Sequence, residues 1–153
     1  MFSKKEAAKL RHDFWTSFGQ YMSPVLSADG EHINWINYRT GVKGLFFKMQ
    51  VDQKITSIAI ELRQEDLHQQ ALYFDQLIAL KKVLEETVGE QWQWSQRITD
   101  EHGAIVSRVG TQQDGLNIYR KENWPAIISF LKPRIISLDA FWNMAKYGFE
   151  VLQ

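Results

Sequence analysis

Asp52 precedes a strand-like run that closes with Glu61-Leu62-Arg63, the pattern in this chain nearest to catalytic chemistry. Restriction-type nucleases hold magnesium with an Asp and a following strand bearing Glu-x-Lys, where the carboxylates bind metal and the Lys positions the attacking water. Here Arg63 occupies the Lys position, and a guanidinium that never loses its proton is a poor substitute. Asp52 also suits a hairpin turn, a role Asp fills for backbone reasons alone. A degenerate magnesium-dependent nuclease using Asp52, Glu61 and Arg63 is therefore the alternative reading, and the main expectation has no catalytic residue.

Other reactive constellations are missing from the sequence. His12, His32, His68 and His102 lie far apart, and no His-Glu-x-x-His or calcium-loop pattern occurs. With no cysteine, disulfides, thiolate metal sites and a Cys nucleophile are excluded. Gly41-Val42-Lys43-Gly44 is too short to cradle a pyrophosphate and precedes a strand, and no Gly-x-Ser-x-Gly elbow is present. The expectation is no cofactor and no resident metal.

A binding surface is the second kind of chemistry on offer. Alternation in the strands is expected to turn Leu45, Phe47, Ile58, Ile60, Trp92, Trp94, Ile98, Ile105 and Val109 toward the helices. The opposite face would then carry Lys48, Arg97, Arg108, Phe46 and Tyr119, a combination that could contact nucleic acid or peptide. An antiparallel sheet with one solvated face reads just as polar, so the pattern alone does not separate the two.

These residues need elements to position them. Ser3 and Glu6 have capping-box spacing before Ala7, Leu10, Phe14, Phe18 and Tyr21, which predicts a helix over about residues 4–21, closed by Ser23-Pro24. Residues 45–51 and 58–62 alternate around Asp52-Gln53-Lys54 and form a hairpin; Ile33–Tyr38 reads as a strand or a packed loop. Glu65-Asp66 opens a second helix that Gly89 stops. Trp92–Ile98, Ala104–Val109 and Leu116–Tyr119 make a three-stranded meander. Finally, Asn123 caps a helix whose apolar stripe, from Ile128 through Leu131, Ile135, Leu138, Trp142 and Ala145 to Phe149, stays in phase across Pro133. Two helices joined by a loop have no reason to keep phase, so one long helix bent near 129–133 is expected, with Phe14 and Trp142 as ring partners and Trp15 and Phe141 beyond them.

The expected fold is α+β in the order α-β-β-α-β-β-β-α, with an antiparallel or mixed sheet and long helices mainly on one face, in one domain over residues 1–153. The 153 residues suffice for a core without staples, and 44% apolar with 24% charged residues is ordinary for a globular protein. Eighteen Lys and Arg balance eighteen Asp and Glu, which removes a global electrostatic case for nucleic acid and leaves only a local patch. No apolar run approaches a membrane span and residues 1–6 hold no apolar leader core, so a cytoplasmic, membrane-free protein is expected.

Three stretches together resemble an uncharacterised bacterial family, domain of unknown function 4268. They are Lys9–Pro24, which contains Phe14-Trp15; Asn34–Tyr38 with Thr40–Lys43; and Trp124-Pro125 followed by Phe130–Ile135 and Phe141-Trp142. The resemblance implies a domain that occurs alone or as a C-terminal module beside nuclease-like or restriction-associated parts. It supplies no catalytic residues. The resulting expectation is a binding or assembly module linked to nucleic-acid or defence systems, with a protein partner or a homodimer as its association.

Overall fold

The computed structural model describes residues 2–153, and it forms one sheet backed by helices. In chain order the elements are α1 (Lys4–Met22), β1 (Leu45–Val51), β2 (Ile55–Leu62), α2 (Leu67–Ala79), α3 (Lys81–Val88), β3 (Gln93–Thr99), β4 (Ile105–Asp114) and α4 (Trp124–Glu150), with a 3₁₀ turn at Lys121–Asn123. This is an α+β fold. The strands lie in the order β1-β2-β4-β3, and every neighbouring pair is antiparallel.

Local chemistry sets most of the boundaries. Ser3 and Glu6 close a reciprocal capping box on α1. The Asp52 carboxylate accepts from the amides of Lys54 (2.7 Å) and Ile55 (2.8 Å), which folds the β1–β2 hairpin. Asp66 caps α2 through the amides of His68 and Gln69, and Gly89 ends α3 in the left-handed conformation at φ 78°.

Two parts of the expected order change. The helix expected to run to Gly89 is two helices, because Leu80 leaves helical geometry at φ −101°, ψ 8° and restarts the chain as α3. The third meander strand, Leu116–Tyr119, does not form. β4 pairs with β2 from Ser107–Leu62 to Asp114–Ile55, and Gly115 at φ 91° then turns the chain away. The Asn117 side chain accepts from the Tyr119 amide and holds 117–119 as a turn. Ile33–Tyr38 is also a packed loop: the Asn34 side-chain oxygen Oδ1 accepts from the amides of Ile36 and Asn37, while buried Trp35 donates to the Val25 carbonyl. Asn123 does not cap α4 with its side chain, which instead accepts from the Asn117 amide.

The helix α4 runs without interruption through Pro133. All seven residues of its stripe are buried, against the sheet face that carries Leu45, Phe47, Ile58, Ile60, Leu62 and Val109. The proline is tolerated because it lies on the outer side: Pro133 and Ser129 are both exposed, so the carbonyl that loses its helical donor meets water. The expected pairing of Phe14 with Trp142 is not found. Phe14 packs on Trp124 at 5.6 Å near the start of α4, and Trp142 sits about 27 Å further along the helix by its rise per residue. There Trp142 meets Phe47 (5.8 Å) and Phe149 (5.2 Å). Phe141 is buried rather than beyond the layer, and Trp15 is half-buried.

Because Pro133 forfeits a helical hydrogen bond on an exposed surface, Pro133→Ala should raise stability by about 1 kcal/mol or more in urea unfolding. An unchanged or lowered midpoint would mean that the ring contributes packing that this geometry does not reveal.

Candidate binding face

Helices cover one face of the sheet, and the other is open. Register aligns its outward side chains in rows across the strands. One row runs Phe46, Glu61, Arg108, Ser95, and the next runs Lys48, Ala59, Gly110, Gln93. Gln50, Ser57 and Gln112 follow in the third. The middle of the second row is a floor of small residues between longer ones. A Cβ on Gly110 would stand 2.7 Å from the Ala59 Cβ and 2.7 Å from the Ile58 carbonyl oxygen, so only glycine allows β2 and β4 this close. The result is a cleft of about 1070 Å³.

At one end of the cleft, Glu61 is 1% exposed and sits at the centre of an ion-pair network. Arg108 donates from Nε (3.0 Å) and Nη2 (2.8 Å) to Oε2 of Glu61. Arg63 donates to Oε1, and the Lys48 ammonium stands 3.8 Å from the same oxygen. The second terminal nitrogen of Arg63 reaches Asp100 at 2.7 Å. Asp100 in turn accepts from the amides of His102 and Ala104, both at 2.9 Å, and so closes the β3–β4 turn. The Arg63 guanidinium and those two amides hold the Asp100 carboxyl at about 2, well below its ordinary 3.8.

The sequence-derived candidates divide on this map. Asp52 and Glu61 are not brought together: Asp52 spends its carboxylate on the hairpin turn, and Glu61 lies at the other end of β2, about 20 Å away at the rise of a strand. Arg63 is bound between Glu61 and Asp100. All four histidines are exposed, and among the described residues no group of three or more His, Cys, Asp or Glu could hold a metal ion. Lys48, Arg108 and Phe46 do share the open face, with Phe46 47% exposed at its rim.

Arg97 and Tyr119 do not join them. A register shift between Ser95 and Ile98 places Arg97 on a bulge at φ 54°, its amide donating to the Ser107 hydroxyl. The same shift moves Ile98 from the expected helix side to the wall of the cleft; Ile105, at the start of β4, is exposed. Tyr119 belongs to the turn after β4 and accepts from Arg11 of α1 at 2.8 Å.

A further polar site was not singled out in the sequence. Asp139 of α4 is buried and accepts from the Tyr38 hydroxyl (2.5 Å) and the Ala28 amide (2.7 Å), fastening the 23–43 loop onto the helix. A pocket of about 500 Å³ opens beside it. Burial and the neighbouring Asp139 charge push the Tyr38 phenol well above the ordinary tyrosine range. The available signal was a lone acid one step along α4 from Leu138 and three before Trp142, next to the buried stripe.

Fold and face together define an α+β domain with a one-sided antiparallel sheet and a polar cleft. The chain belongs to the family described as domain of unknown function (DUF4268), whose model matches residues 10–146. No curated protein and no solved structure matches it. No helix among the described residues is long and apolar enough to cross a membrane.

Two outcomes follow from the ion-pair network. Glu61→Ala should cost about 3 kcal/mol in urea unfolding, toward the low end for removing one member of a buried pair because the stranded guanidiniums are partly hydrated; a cost below 1 kcal/mol would show the network to be peripheral. Since the folded Asp100 value is below its ordinary one, its contribution is complete above about 4 and is lost as pH falls toward 2. The stability gap between wild type and Asp100→Asn should therefore narrow across that window, and a constant gap would contradict the pairing.

Proposed function

We propose that this domain is a non-catalytic binding or assembly module whose contact surface is the open sheet face. One observation carries the reading. The charged groups of that face are bound to one another, Glu61 to Arg108, Arg63 and Lys48, and Arg63 to Asp100, so no group there is left poised to act as an acid, base or nucleophile. Around them the cleft presents hydroxyls and amides from Ser57, Ser95, Gln50, Gln93 and Gln112, with Asp52, committed to its hairpin turn, and Glu101 also in its lining. Such a surface recognises by shape and hydrogen bonding. A nuclease built on Asp52 and Glu61 draws no support from their positions at opposite ends of β2. A link to nucleic-acid or defence systems rests on the family resemblance, in which the module would bind for a catalytic part carried elsewhere.

The test fills the cleft without touching the core. Ser57→Trp projects a large ring over the Ala59–Gly110 floor, and its thermal unfolding should stay close to wild type. Tagged wild-type domain, recovered from the native host and analysed by mass spectrometry, should retain partners that the Ser57→Trp domain loses. Identical partner sets for the two would reject the open face as the contact surface.

A further inference from the structure

We infer that the outer face of α4 pairs with the same face of a second copy of this chain, antiparallel about a twofold axis at Ala140. This adds a surface to the open-face reading and does not depend on it.

The helix α4 has two apolar rows. The buried stripe meets the sheet. On the opposite side run Ser129, Pro133, Ile136, Ala140, Met144 and Tyr147, continued by the C-cap residue Val151. Steps of four, three, four, four, three and four keep these seven on one helical face, and none of them is charged. Ile136 is half-buried and the other six are exposed, with Met144 at 54%, Tyr147 at 61% and Val151 at 81%. Contiguous exposed apolar side chains of this kind mark a contact surface, whereas scattered ones do not.

The spacing selects the occupant. It reads the same from either end, with Ala140 at its centre. An antiparallel copy therefore sets Ser129 of one chain against Val151 of the other, Pro133 against Tyr147, and Ile136 against Met144. Each of these contacts then occurs twice, as a twofold interface requires. Ala140 meets itself at the axis, where its small side chain lets the two helices approach closely.

Charge fixes the same arrangement. Five charged residues lie in α4, and three of them are turned away from the row. Arg134 is bound to Glu90, Asp139 is buried against Tyr38 and Ala28, and Lys146 lines the pocket beside Asp139. Lys132 and Glu150 form no ion pair among the described residues. They are eighteen residues apart, about five turns, so both stand on one flank of the row. An antiparallel twofold brings that flank against itself. Lys132 then lies about 3 Å along the axis from the level of Glu150 on the other copy. Helical side chains tilt toward their own N-terminus, which inclines these two toward each other. A parallel twofold would place the two flanks on opposite edges and leave all four charges unpaired. The sheet lies on the far side of α4, so antiparallel pairing leaves the open face of each copy uncovered.

Sedimentation equilibrium of the full chain from about 5 to about 500 µM tests this. The apparent mass should rise with concentration from that of the 17.9 kDa chain toward twice that value. Ala140→Glu meets its own like charge at the axis and should weaken association by about tenfold or more, with thermal unfolding of the dilute chain close to wild type. Lys132→Glu and Glu150→Lys should each weaken association at low salt, and the double exchange should recover it. A chain that stays monomeric throughout, or a dimer indifferent to Ala140→Glu, would overturn the pairing. A double exchange that recovers nothing would overturn the antiparallel register. Flotation of a monomeric chain with phosphatidylglycerol vesicles, lost in Ala140→Glu, would assign the row to a lipid surface and reject a second copy.

Discussion

The burial of one sheet face by α4 is the constraint on which everything else depends. The helix offers a single continuous apolar stripe, and the inward side chains of β1, β2 and β4 receive it. At the 25 cal/mol per Å² typical of apolar burial, fully burying each large residue of that stripe stabilises by about 1.5–3 kcal/mol relative to exposure. No comparable helix remains for the opposite face, so it must satisfy its polar groups with its own neighbours and with water. The one-sided sheet is thus the consequence of one long helix, and the open face is what that consequence leaves for recognition.

The same constraint explains why a glutamate can sit, almost wholly covered, on a face with no helix above it. Glu61 is covered by its ion partners: Arg108 and Arg63 supply the donors its oxygens need, and the Lys48 ammonium stands 3.8 Å from one of them. A buried carboxylate of this kind is weak evidence for net stability, since desolvation opposes the Coulombic gain. Its clear effect is positional. It holds two guanidiniums still, and through Arg63 and Asp100 it connects the end of the β1–β2 hairpin to the turn between β3 and β4.

Much of the architecture was legible because the periodicity was strong. The α1 capping box, the β1–β2 alternation and the in-phase stripe across Pro133 each reflect a local rule that the tertiary structure also obeys. The misreadings came where a tertiary contact decided. Leu80 breaks a helix that periodicity alone would carry to Gly89. Leu116–Tyr119 lost its strand because β2 was already paired along β4. The bulge at Arg97 inverted the pattern after Ser95 and moved Ile98 and Arg97 from their expected faces, a one-residue event with no composition signal. Of the proposed surface residues, Lys48, Arg108 and Phe46 were found by alternation alone. The cleft floor was not, because Ala59 and Gly110 become informative only when register sets them opposite each other.

The account's central claim is that the open face is solvent-accessible while its cations are locked from beneath. Paramagnetic relaxation by a neutral gadolinium chelate, read by NMR on nitrogen-15-labelled protein, tests it most directly. The side-chain amides of Gln50, Gln93 and Gln112 should relax strongly at every protein concentration, while the Arg108 Nε–H stays protected and slow to exchange at neutral pH. Protected glutamine amides together with a freely exchanging Arg108 would contradict the account, since the face would then be covered and its charge network unformed.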